Sequence, residues 1–261
     1  MVWLRSQVDQ SDLVRSSYFD DPLLEAAERY SQGIEWESIR ALLPPQRGRA
    51  LDLGAGRGIA SYALAQDGWQ VTALEPDPSA IVGAGAIMEL AGESGLPIEV
   101  VTERGEELPF PENCFDLVFG RQVLHHAADL PRTCCEAYRV LRQGGILLAV
   151  REHVISKQED LAVFLQRHPL HHRYGGENAF LLSDYLNAMK SAGFRIDRVL
   201  NPLQSEINTF PDSQAGIHLR FARRLHLPPA VIPKVMLGWI GSWSNAPGRL
   251  YSFLATKRAH A

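Results

Sequence analysis

Between residues 168 and 180 the chain reads HPLHHRYGGENAF, which sets three histidines, a tyrosine, a glycine pair and a glutamate within thirteen positions. Neither a heptad nor a two-residue alternation organises them, so the stretch reads as a segment kept for its chemistry or as a solvated polar loop. An imidazole can exchange a proton near neutral pH or ligate a metal. The HxxHH spacing of His168, His171 and His172 offers two imidazoles to a metal. Pro169 disfavours the regular helix that would hold them in register, however, and no cysteine or clustered aspartate joins them, so no metal is expected here. Further histidines stand together at His125 and His126, and His153 lies within VREHV. What these groups can do depends on the elements that place them.

Short β-branched runs alternate with helical stretches through the middle of the chain, the pattern of a parallel sheet with helices on both faces. Strands are expected at residues 49–53, 70–75, 98–102, 115–120 and 146–150, with FRIDRVL and RLYSFLATKR as the sixth and seventh. Helices are expected at 59–66, 79–91 and 131–141. Another is expected after Ser183, a good N-cap, closing at Gly193. The expected fold class is therefore α/β, a Rossmann-like doubly wound sheet of seven mostly parallel strands. Residues 1–47 read as an N-terminal helical segment with helices near 22–30 and 35–43, and residues 48–261 as the main domain. Within it, residues 201–248 carry Phe210, Phe221, Trp239 and Trp243 among prolines and glycines. A connection that long between neighbouring strands suits a substrate cap.

With 261 residues the chain can bury a large core without disulfides. Its three cysteines, Cys114, Cys134 and Cys135, form no CxxC pair and point to a reducing compartment. A net charge of −4 with both signs dispersed excludes the electrostatic footprint of a nucleic-acid binder. The sequence has neither the apolar run of a signal peptide nor one long enough to span a bilayer, so a soluble cytoplasmic protein is expected.

ALDLGAGRGIASYALA is the most informative stretch. A strand runs into Gly54, Gly56 and Gly58 and then into a helix, a turn that lets backbone approach a ligand closely. Dinucleotide sites use GxGxxG to bring pyrophosphate to a helix N-terminus; here the spacing is GxGxG and Asp52 precedes it. A carboxylate repels pyrophosphate and suits an ammonium group. The next strand ends at Glu75, which can accept both hydroxyls of a ribose.

LDLGAGRG, ALEPDP, ELPFPENCFDLVFGRQVLHH and YRVLRQGGILL, in that order over residues 48–150, resemble the class I S-adenosylmethionine-dependent methyltransferases. The likeness is greatest to their small-molecule type 11 branch, the relatives of the ubiquinone and menaquinone biosynthesis enzymes. The resemblance implies S-adenosylmethionine as cofactor, with Gly54, Ala55, Gly56 and Gly58 against its methionine moiety. Asp52 would then hold the amino group, Glu75 the ribose, and Pro76 and Asp77 would border the adenine. Where the family carries an acidic residue and an alanine near the adenine amino group, this chain has Arg104, Gly105 and Glu106, so the contact would fall to Glu103 or Glu106, or to the backbone alone at Gly105. Arg121 should edge the methyl-transfer pocket.

On this topology the histidines fall on the rim beyond the strand ends, where sites of such sheets lie. His153, His171 and His172 are the candidate bases, and His125, His168, Tyr174, Glu177 and Trp239 the candidate acceptor-binding residues. The acceptor would be a small molecule with an apolar, ring-shaped or sugar face. Two rival readings stay open on the sequence: a catalytically silent cofactor-binding sensor or scaffold, and an enzyme using the cofactor for other chemistry.

Overall fold

A computed structural model describes residues 2–168, 171, 176–233 and 235–258. The chain opens with four helices, α1 (Val2–Arg5), α2 (Ser11–Ser16), α3 (Leu23–Ser31) and α4 (Ile34–Arg40). Then β1 (Arg49–Leu53), α5 (Ile59–Gln66), β2 (Gln70–Leu74), α6 (Ala84–Ser94), β3 (Ile98–Val101), β4 (Phe115–Arg121), α7 (Leu130–Val140) and β5 (Leu141–Ile155) alternate. After α8 (Asp160–Arg167) come β6 (Phe180–Leu181), α9 (Leu182–Ala192) and β7 (Phe194–Leu200). Three helices, α10 (Glu206–Thr209), α11 (Gln214–Arg224) and α12 (Val235–Trp243), precede β8 (Arg249–Lys257).

The main sheet runs β3-β2-β1-β4-β5-β8-β7, with β8 antiparallel to both its neighbours and the other pairings parallel. Among the described residues eight strands are present where seven were expected. The extra one is the two-residue β6, which pairs with Val154 and Ile155 at the far end of β5. Strand order reverses between β1 and β4, and a ligand crevice opens beyond the carboxyl ends of the strands at such a switch point.

One face of the sheet is covered by α7 and α9 around Phe115, Tyr185 and Phe253. The other is covered by α5, whose residues from Ile59 to Ala65 are all buried. A helix apolar on every side needs a second layer above it. The N-terminal segment provides that layer: Tyr30, Trp36 and Ile39 are fully buried in the same core as Ala63 and Leu64. Trp36 also donates from Nε1 to Asp67 at 3.0 Å. The N-terminal helical segment is thus part of the core. Its burial carries Glu35, on the same face of α4 as Ile39, to the strand ends.

One further expectation shifts. α9 starts one residue before Ser183, and Asp184 caps it by accepting from the Leu181 N–H at 3.2 Å, while Gly193 closes it at φ 105° as expected. Among the described residues no helix is long and apolar enough to cross a membrane.

Candidate active site

A cavity of about 640 Å³ opens beyond the ends of β1, β2, β4 and β5. Its floor is the turn after β1, where Gly54, Gly56 and Gly58 adopt φ of 62°, 56° and 80°. These are left-handed conformations that a side chain makes costly. At Gly54 a Cβ would also stand 2.3 Å from Val123 Cγ2, so the turn passes hard against the segment after β4.

Glu75, at the end of β2, ties this turn down. Its carboxylate accepts the Gly56 N–H at 2.8 Å and the Asp77 N–H at 3.0 Å. Burial raises its pKa, and those two backbone donors oppose the rise. Asp52 is 1% exposed and accepts from Ser61 Oγ at 2.6 Å. Burial pushes its pKa up to about 7, against the Ser61 hydrogen bond. Pro76, Gly105 and Glu106 line the same end, and Glu106 accepts the Ala128 N–H at 2.9 Å. Ala55 and Arg104 join them, whereas Gly58 sits one step back at the start of α5.

Arg121 reaches the wall from the end of β4, but its donors are already engaged. Nε and Nη2 bind the two oxygens of Glu35 at 2.7 and 3.1 Å, and Nη1 donates to Gln122 at 2.9 Å. Burial works against the charge, yet Glu35 overrides it and holds the guanidinium above the ordinary arginine pKa. Arg151, on β5, stands beside it with Nε 3.9 Å from Glu35 and donates from Nη1 to the Ile207 carbonyl at 2.6 Å. The N-terminal segment and the 201–248 insertion therefore meet on one arginine pair, and Tyr18 stacks on Phe210 with centroids 5.7 Å apart.

Across the cavity lies the histidine cluster. β5 runs to Ile155, past the strand end expected from the sequence, and so carries Glu152 and His153. The fully buried Glu152 accepts the N–H groups of Val123, Leu124 and His125 at 3.0 to 3.2 Å, and His125 Nδ1 at 2.7 Å. The other nitrogen of His125 faces Glu177 Oε2 at 3.7 Å. His153 Nδ1 lies 2.8 Å from the Gly248 carbonyl. A carbonyl only accepts, so this nitrogen bears the proton and Nε2 keeps its lone pair. His168 Nδ1 is 3.8 Å from Glu177 Oε1.

Burial lowers the His125 pKa, but Glu152 and Glu177 more than reverse that and lift it to about 9. Burial and the charge of His125 push His153 down to about 3. Burial likewise lowers His168. Glu177 falls to about 2, because the histidines around it outweigh its burial.

The structure thus gathers Asp52, Gly54, Gly56, Glu75 and Pro76 at one end of the cavity and His125, His153, His168 and Glu177 at the other. His171 is half-buried and does not line the cavity. His172 and Tyr174 lie outside the described residues. Trp239 does not reach the cavity either: it is 71% exposed on α12 and borders a separate surface depression with Asn201, Gln204 and Gln214. α12 buries only Leu237 and Gly241, so its tryptophans turn outward.

Sequence reasoning did not single out Glu35, and it set Glu152 on the rim with Arg151 and His153 without giving it a role. Glu35 had a signal, an acid four residues before Ile39 on the apolar stripe of its helix. Glu152 had the weaker one of an acid inside an otherwise apolar strand end.

The cradle's chemistry fits S-adenosylmethionine. Two buried carboxylates and left-handed glycines face the space, and the neighbouring Arg121 is neutralised by Glu35, which suits a cationic amino-acid moiety joined to a ribose. Residues 51–149 match the family described as a methyltransferase domain. A ubiquinone biosynthesis O-methyltransferase of Rhizobium leguminosarum bv. trifolii is 27% identical over 224 residues, covering 82% of this chain and 84% of that protein. A solved geranyl diphosphate methyltransferase in complex with S-adenosylmethionine superposes with a TM-score of 0.63 at 14% identity, covering 92% of this chain and 94% of that one. An S-adenosylmethionine-dependent methyltransferase from Mesorhizobium loti gives 0.58 at 18%, covering 86% and 98%. At such identities the solved structures speak for the fold, and the domain match for the chemistry. With the match over residues 51–149 and the O-methyltransferase relatives, the chain is an S-adenosylmethionine-dependent methyltransferase.

Proposed function

We propose that the chain transfers the methyl group of S-adenosylmethionine to a hydroxyl oxygen of a small acceptor with an apolar or ring-shaped face. The observation that carries this reading is the division of one cavity into an acidic glycine cradle and a histidine–glutamate cluster. Bound in the cradle, the cofactor supplies a methyl group on a sulfonium, open to in-line displacement. Asp52 would hold the amino group, Glu75 the ribose, and Pro76, Gly105 and Glu106 would border the adenine. Gly54 and Gly56 keep the backbone low enough for close approach.

The acceptor would enter from the other side, between the N-terminal segment and the crossover that carries Glu177. Leu13, Tyr18, Phe19, Val123 and Leu250 give that wall an apolar and aromatic character, which favours a ring or hydrocarbon face over a sugar. His125, His153, His168 and Glu177 supply its polar groups. They would orient the hydroxyl toward the methyl and receive or relay its proton. Oxygen as the acceptor atom draws further support from the curated relative, which is named an O-methyltransferase. A soluble, cytoplasmic enzyme of residues 48–261, with residues 1–47 and 201–248 completing the acceptor side, is the organisation that follows.

Calorimetric titration with S-adenosylmethionine tests the first half, and a folded sample with no measurable binding would refute it. For the second half, purified protein and cofactor are incubated with a metabolite extract, and products are sought that gain the mass of one methyl group. S-adenosylhomocysteine should accumulate with them. Cofactor binding without any methylated product across hydroxylated aromatic and lipid-like acceptors would leave a binding protein in its place.

A further inference from the structure

We propose that His125, His153 and Glu177 form a binding site for a first-row divalent transition-metal ion on the acceptor side of the cavity. One ligand-capable atom from each lies within 4.8 Å of the other two. The orientation of the two rings carries the inference further than proximity does. In both, Nδ1 is committed to an acceptor behind the ring, the Glu152 carboxylate for His125 and the Gly248 carbonyl for His153, each within 2.8 Å. That leaves both Nε2 atoms as the groups that face the cavity. Metal-ligating histidines are held in this way, with the second nitrogen tied to a carboxylate or carbonyl that fixes tautomer and direction.

The spacing also suits an ion better than direct contact. His125 Nε2 and Glu177 Oε2 stand 3.7 Å apart, too far for a hydrogen bond, and Glu177 Oε2 is buried with no hydrogen-bond partner. Two ligands on one ion, each at about 2.1 Å, stand roughly 3 to 4.2 Å apart. In a tetrahedral shell that separation is about 3.4 Å, so the triangle contracts by at most about 1.4 Å at its widest, and its His125–Glu177 side at 3.7 Å is already close to it. Two imidazoles and one carboxylate select zinc, iron(II) or cobalt over magnesium or calcium, which prefer oxygen donors throughout. His168, 3.8 Å from the other oxygen of Glu177, can bind that oxygen or close a fourth position. Two ligands sit on rigid elements, the end of β5 and the turn after β4, while Glu177 comes from the crossover above them.

Such an ion would give the hydroxyl acceptor a defined seat beside the cofactor and make its proton more acidic. The O–H bond breaks and its proton passes to solvent. The freed electron pair forms the bond to the methyl carbon, and the C–S bond breaks with its pair returning to sulfur, so one proton is released per methyl transferred. This last step alone rests on the methyltransferase reading; the ion site does not.

The test is a titration of metal-free protein with Co2+, followed by its visible d–d absorption, and competition by Zn2+. Calorimetric titration with S-adenosylmethionine is run on the same preparations. Wild type should take up a single equivalent of Co2+ that Zn2+ displaces. Glu177→Gln and His153→Gln should each weaken uptake by on the order of a hundredfold or more, with both variants folded and cofactor affinity near wild type. His171→Gln, outside the triangle, should bind as wild type does. Folded wild type that binds the cofactor but neither Co2+ nor Zn2+ would overturn the inference, as would variants that bind metal as tightly as wild type. Metal uptake lost in both variants, in a protein that fails to bind the cofactor, would uphold the ion site and overturn the methyltransferase reading instead.

Discussion

Replacing Glu35 tests whether the N-terminal segment is joined to the sheet by charge as well as by packing. Its carboxylate is fully buried and grips Arg121 through both oxygens, with Arg151 Nε 3.9 Å away. Arg121 is otherwise boxed in by the rings of Tyr18 and Tyr30, 5.6 and 5.5 Å from its guanidinium carbon. In Glu35→Gln the volume is kept and the charge lost, leaving two neighbouring guanidiniums without their counter-ion. A pair at this separation gains roughly 5 kcal/mol at an effective dielectric constant near 20. Measured losses on breaking a buried pair run to about 3–5 kcal/mol, because the surviving charge stays desolvated. At about 2–4 °C per kcal/mol for a chain of this size, the melting temperature should fall by roughly 6 to 20 °C. Urea unfolding of wild type, Glu35→Gln, Arg121→Met and the double variant completes a cycle. The double variant should regain much of the loss, since a neutral pair leaves only one guanidinium. A Glu35→Gln protein within about 1 kcal/mol of wild type would refute the reasoning, and the aromatic contacts alone would then hold the segment.

Three further outcomes are expected. Glu75→Ala removes the acceptor of two backbone N–H groups, each charge-assisted bond being worth roughly 1.5–3 kcal/mol, so calorimetry should show cofactor affinity down tenfold or more and the melting temperature should drop as well. Gly54→Ala meets both a left-handed φ and Val123, which together cost roughly 2–5 kcal/mol in unfolding experiments; Val123→Ala in the same chain should recover the steric part, and no recovery would mean the turn is not held against that side chain. For Asp52, the folded pKa of about 7 lies above that of the unfolded chain, so its contribution to apo stability is full below pH ~4 and is lost as pH rises through about 7. Binding of a cationic cofactor reverses the preference, so affinity should rise from pH 6 to 8 with proton release, and Asp52→Asn should flatten both profiles; parallel profiles in the two proteins would refute it.

The glycine turn and its two flanking acids were legible because they are local: a strand, a turn and a strand end, each within a few residues of the next. The acceptor side was legible only as a supply of residue types. His125, His153, His168 and Glu177 come from three segments up to 52 residues apart, and their meeting depends on β5 continuing past Val150. Nothing in REHVI distinguishes strand from loop, since its polar residues are buried by partners elsewhere in the chain. The start of α6 moved from residue 79 to Ala84 because Gly83 is extended, at φ −129° and ψ −154°, and the Ala84 N–H is used by Asp77. Trp239 misled for a physical reason: tryptophan is read as a core or pocket residue, whereas α12 presents its apolar side to solvent.

That outward turn gives the molecule two optically distinct sets of indoles. Trp36 and Trp69 are sealed in the core, while Trp239 and Trp243 are 71% and 85% exposed one helical turn apart, and Trp3 is 44% exposed. Emission should therefore contain a blue component indifferent to acrylamide and a red one that acrylamide quenches. The red component reports chiefly on the 201–248 insertion, the part of the chain beside the acceptor wall. Any movement of α12 that accompanies acceptor entry would be readable without a label, as a change in quenching at constant core fluorescence.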